Sequence, residues 1–193
     1  MPRISDLWER LPGIELEVVP WYRPQVGDKS AADIVISWER LAEMPASTPK
    51  LLELHPVAIA STAYIDLHGA MAGLQDMLDR PVLHQRDHWG WRDWFAAMGV
   101  DVDVDHPLQG PVFEDANVLL RGAAKGQDAI RGWLPLIDQD LREGRVLRLF
   151  DENIAPTHGY YLQNSNGMRN SQKTQSVIDW LVPQRSEDFG PRA

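Results

Sequence analysis

The sequence predicts an α/β fold, and three of its features support this prediction. Short apolar runs rich in β-branched residues alternate with longer amphipathic runs along most of the 193 residues. The short run 32–37 is typical of a strand that is covered on both faces. The composition, with 44% hydrophobic and 24% charged residues, is that of a globular protein. Alternating strands and helices favour largely parallel sheets with right-handed crossovers.

The first third of the chain contains one predicted helix followed by strands. Apolar residues recur at helical spacing within 3–11, and Pro12-Gly13 is placed to end that helix. Apolar and acidic residues alternate along 14–19, which predicts a strand. Further strands are predicted at 32–37 and, as one or two segments, within 51–61.

The rest of the chain continues the alternation. Strands are predicted at 81–84, 111–113, 129–130, 146–150 and 159–162. Helices are predicted at 74–78, 91–98, 116–125, 136–143 and 174–182. Asp115 is placed to cap the helix 116–125, and Gly126 is placed to end it. Residues 184–193 are predicted to form a polar tail.

Composition excludes several classes of function. The chain has no cysteine, which rules out disulfides, thiolate catalysis and cysteine-ligated metal sites. A net charge of −9 makes direct binding of nucleic acid by this chain unfavourable.

No apolar run reaches the roughly 20 residues that span a bilayer. Charges also occupy the start, where a signal peptide carries its apolar segment. We therefore expect a cytoplasmic protein that does not bind membranes.

No motif in the sequence assembles a catalytic, metal or phosphate site. His84 and His88 are four residues apart, but His84 is predicted to end a strand, so the pair would not share a helical face. Ser61-Thr62 follows a strand without the glycines of a nucleophile elbow, and two hydroxyls at a strand end are the simpler interpretation. No glycine-rich phosphate loop is present. We predict no catalytic residue, no metal ligand and no cofactor. The other histidines are predicted to be surface or loop residues: His55, His68, His106 and His158.

Tryptophan and arginine residues in the second half have two interpretations each. Trp91, Trp94 and Phe95 share a helical face and are predicted to pack in the core. Trp89 precedes that helix and is freer to face a cleft. Arg131 interrupts an apolar strand, where a buried cation is costly unless it is paired. It either meets an anionic ligand or pairs with Asp128 or Asp115, and the sequence leaves both interpretations open.

The order of short motifs along the chain resembles a known family. The motifs are Leu7 through Leu16, Ala32-Asp33-Ile34-Val35-Ile36, Trp91-x-x-Trp94 with Gly99, Phe113-x-Asp115, Gly122-Ala123-Ala124-Lys125-Gly126-Gln127, Leu134-Pro135-Leu136, Asp140-Leu141, Gly144-Arg145-Val146-Leu147 with Phe150, Tyr160-Tyr161-Leu162 and Val177-x-x-Trp180-Leu181. Together they resemble the effector-binding domain of LysR-type transcriptional regulators, in the branch of the glycine-cleavage activator and the β-lactamase regulator. The similarity runs from about residue 2 to residue 183.

The resemblance implies a fold and a mode of action. The implied fold has two Rossmann-like lobes joined by a hinge, of the periplasmic-binding-protein type II-like kind. Lobe I would be residues 1–63 plus 159–183, and lobe II would be residues 64–158. A small effector would bind in the cleft between the lobes and shift the population of lobe arrangements in a homodimer or larger homo-oligomer. DNA would be bound only through a winged-helix domain that this chain lacks. The implied role is that of a binding domain, not an enzyme.

Strand ends and helix starts are the expected effector contacts in such a fold. By position, the candidates are Ser37, Trp38, Ser61, Thr62, Gln85, Arg86, Asp87, Trp89, Asp115 and Arg131. Arg86 and Arg131 favour an anionic effector, whereas Asp87 and Asp115 oppose one. The sequence does not identify the effector, the regulated genes or whether regulation is positive or negative.

We expect three departures from the family pattern, the first being the absent winged-helix domain. By the resemblance, Met1 would fall inside the family's first helix, which would leave out the first strand of lobe I. A mis-assigned start, a decayed regulator and a gap filled by a partner strand are all open explanations. Asp128 also stands where the family usually has glycine, and Arg131 where the residue is usually apolar. A truncated dimerisation module that senses nothing is the main alternative function. A solute-binding protein, or a hydrolase-like enzyme using Ser61 or a His–Asp pair, is less favoured.

Overall fold

The computed structural model describes residues 4–19, 32–86, 90–103, 108–151, 153–164 and 172–182. The helices are α1 (Ile4–Arg10), α2 (Thr62–His68), α3 (Trp91–Ala97), α4 (Ala116–Ala124), α5 (Asp138–Arg142) and α6 (Gln172–Leu181). The strands are β1 (Ile34–Arg40), β2 (Lys50–Ala60), β3 (Val82–Gln85), β4 (Val112–Phe113), β5 (Ala129–Leu134), β6 (Leu147–Arg148) and β7 (His158–Asn164). None of these helices is long and apolar enough to cross a membrane.

The chain divides into two compact units. The first comprises Met1–Glu53 and His158–Ala193, and the second comprises Leu54–Thr157. The chain passes from the first unit to the second within β2 and returns just before β7. The lobes implied by the family resemblance change at residues 63–64 and 158–159, and that division stays a prediction.

The first unit joins the two ends of the sequence. Strands β1 and β7 pair antiparallel over seven residues, from Ile34 opposite Asn164 to Arg40 opposite His158. The indole Nε1 of Trp180 in α6 donates a hydrogen bond of 2.7 Å to Asp6 Oδ2 in α1. This contact ties the first helix of the chain to the last.

The second unit is built around β5. This strand pairs antiparallel with β2 and parallel with β3, and β4 extends the sheet parallel to β3. Helix α4 contacts β3, β4 and β5. A buried apolar cluster between α4 and the sheet consists of Val57, Ile59, Leu83, Leu119, Ala123, Ile130, Ile137 and Val146. Because β3 and β4 are parallel, their carboxyl ends lie at the same edge.

Aromatic residues of α3 form a second packed cluster in this unit. The ring centroid of Trp94 lies 5.6 Å from that of Trp91 and 5.1 Å from that of Phe95. Trp94 also lies 5.7 Å from Phe150. All three α3 aromatic residues are buried. The prediction that they pack in the core is therefore confirmed.

The predicted strand at 14–19 is wrong. The structure has no strand there, and Leu16, Val18 and Val19 are 38%, 62% and 68% exposed. Alternation gives a segment the side-chain pattern of a strand, but a strand also needs a neighbour with which its backbone can pair. No described strand pairs with this segment.

The prediction of largely parallel sheets is also wrong. The β1–β7, β2–β5 and β2–β6 pairs are antiparallel, whereas β3 pairs parallel with its neighbours β4 and β5. Strand β1 ends the strand order, and Ile36 on it is 45% exposed. Its apolar run does not mark coverage on both faces.

Two helical segments differ from expectation. Helix α2 was not predicted, and residues Leu74–Met77 form a 3-10 helix instead of an α-helix. The predicted α/β class, the helices α1, α3, α4, α5 and α6, and the strands β1 to β7 are present, with ends shifted by a few residues.

Candidate functional site

Polar residues collect at the carboxyl ends of β3 and β4 in the second unit. Gln85 is the last residue of β3, and the backbone N–H of Arg86 donates to Phe113 O at 2.7 Å, which continues the pairing with β4. The Arg86 guanidinium lies 3.4 Å from a carboxylate oxygen of Glu114. Both of these side chains are exposed, so the ion pair contributes little stability and its partners are accessible to a ligand.

Asp115 has a structural role at this edge. Its carboxylate accepts a hydrogen bond of 2.8 Å from the backbone N–H of Asn117 and caps α4. The predicted cap is confirmed. Such caps stabilise a helix by about 1 kcal/mol. The Asp115 carboxylate is therefore already used by the fold, and among the predicted contacts at this edge Gln85 and Arg86 have no such capping role.

Arg131 is a buried cation in the middle of β5. Its side chain is 5% exposed, and its guanidinium lies 4.5 Å from the ring centroid of Trp133. Its cross-strand partner is Ala58. Neighbouring positions on both strands, Ile59 and Ile130, belong to the apolar cluster under α4. Since side chains alternate along a strand, Arg131 faces the opposite side of the sheet.

A small cavity of about 10 Å³ lies beside Arg131. Its lining includes Gln85, His84, Trp91 and Leu119. The indole Nε1 of Trp91 donates to Leu83 O at 3.0 Å, and His84 Nε2 lies 2.9 Å from Leu108 O. The cavity is about the size that one water molecule needs. Arg131 and Gln85 therefore line the same nearly closed cavity.

Ser61 and Thr62 occupy different environments at the start of α2. Ser61 is 4% exposed, and its hydroxyl oxygen accepts from the backbone N–H of Tyr64 at 3.3 Å. Ser61 is the N-cap of the helix. Thr62 is exposed. Of these two predicted contacts, only the Thr62 hydroxyl is open to a ligand.

The geometry of α2 argues against a serine hydrolase. Ser61 precedes the helix and His68 ends it, so seven residues place them about 10 Å apart along its axis. Burial raises the pKa of the Asp128 carboxyl, and the nearby charge of His68 lowers it. His68 and Asp128 are therefore near each other, but the separation along the helix puts Ser61 beyond hydrogen-bond reach of His68.

In the first unit, Ser37 and Trp38 are held by β7 side chains. Ser37 Oγ accepts a hydrogen bond of 2.8 Å from Gln163 Nε2. The Trp38 ring stacks on His158 with centroids 4.2 Å apart and planes at 5°. His158 is 1% exposed, so its prediction as a surface or loop residue is wrong. Gln163 and His158 were both missed, because their contacts with β1 arise from strand pairing and leave no local pattern.

Two predicted contacts, Asp87 and Trp89, lie outside the described residues, as does His88 of the histidine pair. Among the residues that the structure describes, no group of three or more histidine and acidic side chains could hold a metal ion. The roles of all the predicted effector contacts stay predictions.

No protein-family model and no curated protein matches this sequence. Solved structures similar in fold to this chain include the following three. The effector domain of the transcriptional regulator AmpR of Pseudomonas aeruginosa has a TM-score of 0.78 at 18% identity, covering 95% of this chain and 87% of that one. The AmpR effector-binding domain from Citrobacter freundii has a TM-score of 0.76 at 18% identity, covering 95% and 90%.

The third is the regulatory domain of CrgA, a LysR-type transcriptional regulator from Neisseria meningitidis. Its TM-score is 0.74 at 20% identity, and the match covers 96% of this chain and 91% of that one. At these identities the likeness establishes the fold. The chain has the α/β, periplasmic-binding-protein type II-like fold of the effector-binding domains of LysR-type transcriptional regulators.

Proposed function

We propose that this chain is the effector-binding domain of a LysR-type transcriptional regulator and binds a small-molecule effector. The observation that carries the proposal is the likeness in fold to the AmpR effector domain, which spans 95% of this chain. Nearly the whole chain therefore matches that one fold. The more specific assignment to the glycine-cleavage-activator branch rests on the sequence motifs alone and is part of the proposal.

The effector class follows from the cations at the predicted contacts. We place the ligand's anionic group near Arg131 and Arg86, with the Gln85 amide as a further hydrogen-bond donor. Arginine presents parallel N–H groups that match a carboxylate. Arg131 is also buried, where electrostatic attraction is stronger than at the surface. A small organic acid is therefore the proposed effector, and the exposed Thr62 hydroxyl is a further candidate contact in the same unit.

The proposed role is binding without chemistry. The neighbours in fold are regulator domains. Ser61, the side chain that a hydrolase would use, is buried and holds the start of α2. A hydroxyl that accepts a backbone hydrogen bond in the core cannot approach a substrate carbonyl. The hydrolase alternative therefore receives no support from the geometry.

Assembly and DNA contact complete the proposal. We propose a homo-oligomer in the cytoplasm, since regulators of this kind act on DNA as assemblies of identical subunits. The chain carries a net charge of −9, which repels the phosphate backbone. Operator binding would therefore belong to a winged-helix domain outside these 193 residues.

The test is thermal melting of the purified chain against small carboxylic acids and their matched neutral amides. A ligand that binds only the folded state raises the melting midpoint as its concentration exceeds its Kd. We expect at least one acid to raise the midpoint while its amide does not. Equal shifts from acids and amides, or no shift from any acid, would count against an anion-binding effector site.

Two substitutions decide whether Arg131 makes the contact. Arg131→Lys keeps the charge but removes the paired N–H geometry, so it should weaken binding of the active acid more than tenfold. Arg121→Lys, on the exposed face of α4, is the matched control and should leave the Kd unchanged. Equal effects of the two substitutions would remove Arg131 from the site.

A further inference from the structure

A surface groove of about 570 Å³ lies wholly within the first unit. Its walls come from the turn before β2, the end of β7 and one side of α6. Its polar lining consists of Ser47, Thr48, Gln163 and Gln175, and its apolar lining includes Met44 and Ile178. The volume falls in the range of small-molecule sites, roughly 300–1,000 Å³. None of the predicted effector contacts lines this groove.

The two glutamines that line the groove already use their amide nitrogens within the protein. Gln163 Nε2 donates to Ser37 Oγ at 2.8 Å and to Glu39 Oε1 at 3.4 Å. Gln175 Nε2 donates to Asp179 Oδ1 at 2.8 Å. An amide has two N–H donors and one carbonyl acceptor; Gln163 uses both donors and Gln175 uses one, which leaves both carbonyl oxygens available as acceptors. Within the described part of the chain, no group donates to either carbonyl oxygen.

The charges near the groove favour ligands that are not anions. The carboxylates of Glu39 and Asp179 lie directly behind the two amides, as their hydrogen bonds show. Lys50, which follows the turn, forms an ion pair with Glu53. All the described lining residues are uncharged. An anion would therefore lose water without gaining a cationic partner among them.

We infer that this groove is a second small-molecule site that takes a compact ligand with N–H donors, an apolar body and no negative charge. The N–H groups bind the carbonyl oxygens of Gln163 and Gln175, and the Ser47 and Thr48 hydroxyls add further acceptors. The apolar body packs against Met44 and Ile178. The inference does not depend on the effector proposal, which concerns other residues and the opposite ligand charge.

The test uses three probes of the same size and shape: benzamidine, benzamide and benzoate. Benzamidine is a cation with N–H donors, benzamide is a neutral amide, and benzoate is an anion with acceptors only. Each is titrated into the ¹⁵N-labelled full chain, and NMR shifts of groove residues are followed. We expect saturable shifts, with benzamidine binding at least tenfold more tightly than benzoate and benzamide between them.

Substitutions distinguish binding in the groove from nonspecific attraction of a cation to this acidic protein. Gln175→Leu removes an exposed acceptor from α6 and should raise the Kd for benzamidine and benzamide at least threefold. Gln139→Leu is the matched control, because Gln139 is an exposed helical glutamine in the second unit that donates to Glu143, four residues on. It should change neither Kd. Non-saturating shifts, tighter binding of benzoate, or equal effects of the two substitutions would overturn the inference.

Discussion

Replacing Gly132 by alanine tests which face of β5 carries Arg131. A Cβ atom at position 132 would lie 2.8 Å from Ile137 Cδ1 and 3.2 Å from Ile59 Cδ1. Real Cβ atoms almost never approach other atoms within 3.0 Å, so the Ile137 side chain must move. The collision occurs only if position 132 faces the apolar cluster, which places position 131 on the other face.

The expected loss follows from the geometry. Adding a methyl group to a packed core costs about 1–3 kcal/mol, and the colliding atom is the tip of a flexible side chain, which favours the lower end. Alanine also gains about 0.5–1 kcal/mol over glycine in a strand interior. The two terms nearly cancel, so we expect Gly132→Ala alone to lower the free energy of unfolding by no more than about 0.5 kcal/mol, although the clash itself costs about 1 kcal/mol. Ile137→Val removes the colliding atom and alone should cost about 0.5–1.5 kcal/mol.

A double-mutant cycle measures the contact directly. Urea unfolding of the wild type, both single variants and the double variant gives the coupling free energy. We expect the double variant to be about 1 kcal/mol more stable than the sum of the single effects predicts. Ile130→Val, which shortens another residue of the same cluster, is the control and should be additive with Gly132→Ala. Additivity within about 0.5 kcal/mol for both pairs would refute the assigned orientation of β5.

Three further predictions test other parts of the structure. Gly110→Ala would place a Cβ atom 1.6 Å from a backbone oxygen of β3, and the φ of residue 110 is 152°. This variant should therefore show no cooperative unfolding in urea. Gly144→Ala is the control, because its Cβ atom would lie in open space, and it should unfold cooperatively. Ser61→Ala should lower the free energy of unfolding by about 1 kcal/mol through loss of the cap, and no change would refute that role. Burial raises the pKa of Asp128 more than His68 lowers it, so ionisation opposes folding above that pKa. Asp128→Asn should therefore stabilise the protein at pH 7, and this advantage should fade as the pH falls toward 4; an advantage independent of pH would contradict the assignment.

Local signals predicted the parts of the fold that are held by local contacts. Helix α4 was predicted with its cap at Asp115 and its end at Gly126, because both signals lie within the helix's own sequence. Strand β5 was predicted to end at Ile130, since Arg131 interrupts the apolar pattern. The strand continues to Leu134 because its last three residues pair with residues 55–57 of β2, and the local apolar pattern does not record such a long-range contact.

The candidate site was predictable only in outline. Strand ends and helix starts gave a set of positions, but their roles depend on neighbours from distant parts of the chain. Ser61 and Asp115 cap helices. Ser61 is a favoured N-cap residue, but this role could not be assigned because the helix 62–68 was not predicted. The burial of His158 depends on stacking with Trp38, about 120 residues away in sequence, and the resemblance gave no indication of it. Tertiary contacts of this kind are not recorded in single-sequence patterns.

Calorimetric titration with the acid that gives the largest melting shift tests whether this chain binds a small organic acid without converting it. We expect saturation at about one ligand per chain, and we expect mass spectrometry to recover the acid unchanged after incubation. A titration without saturation, or a loss of the acid with appearance of a product, would contradict that expectation.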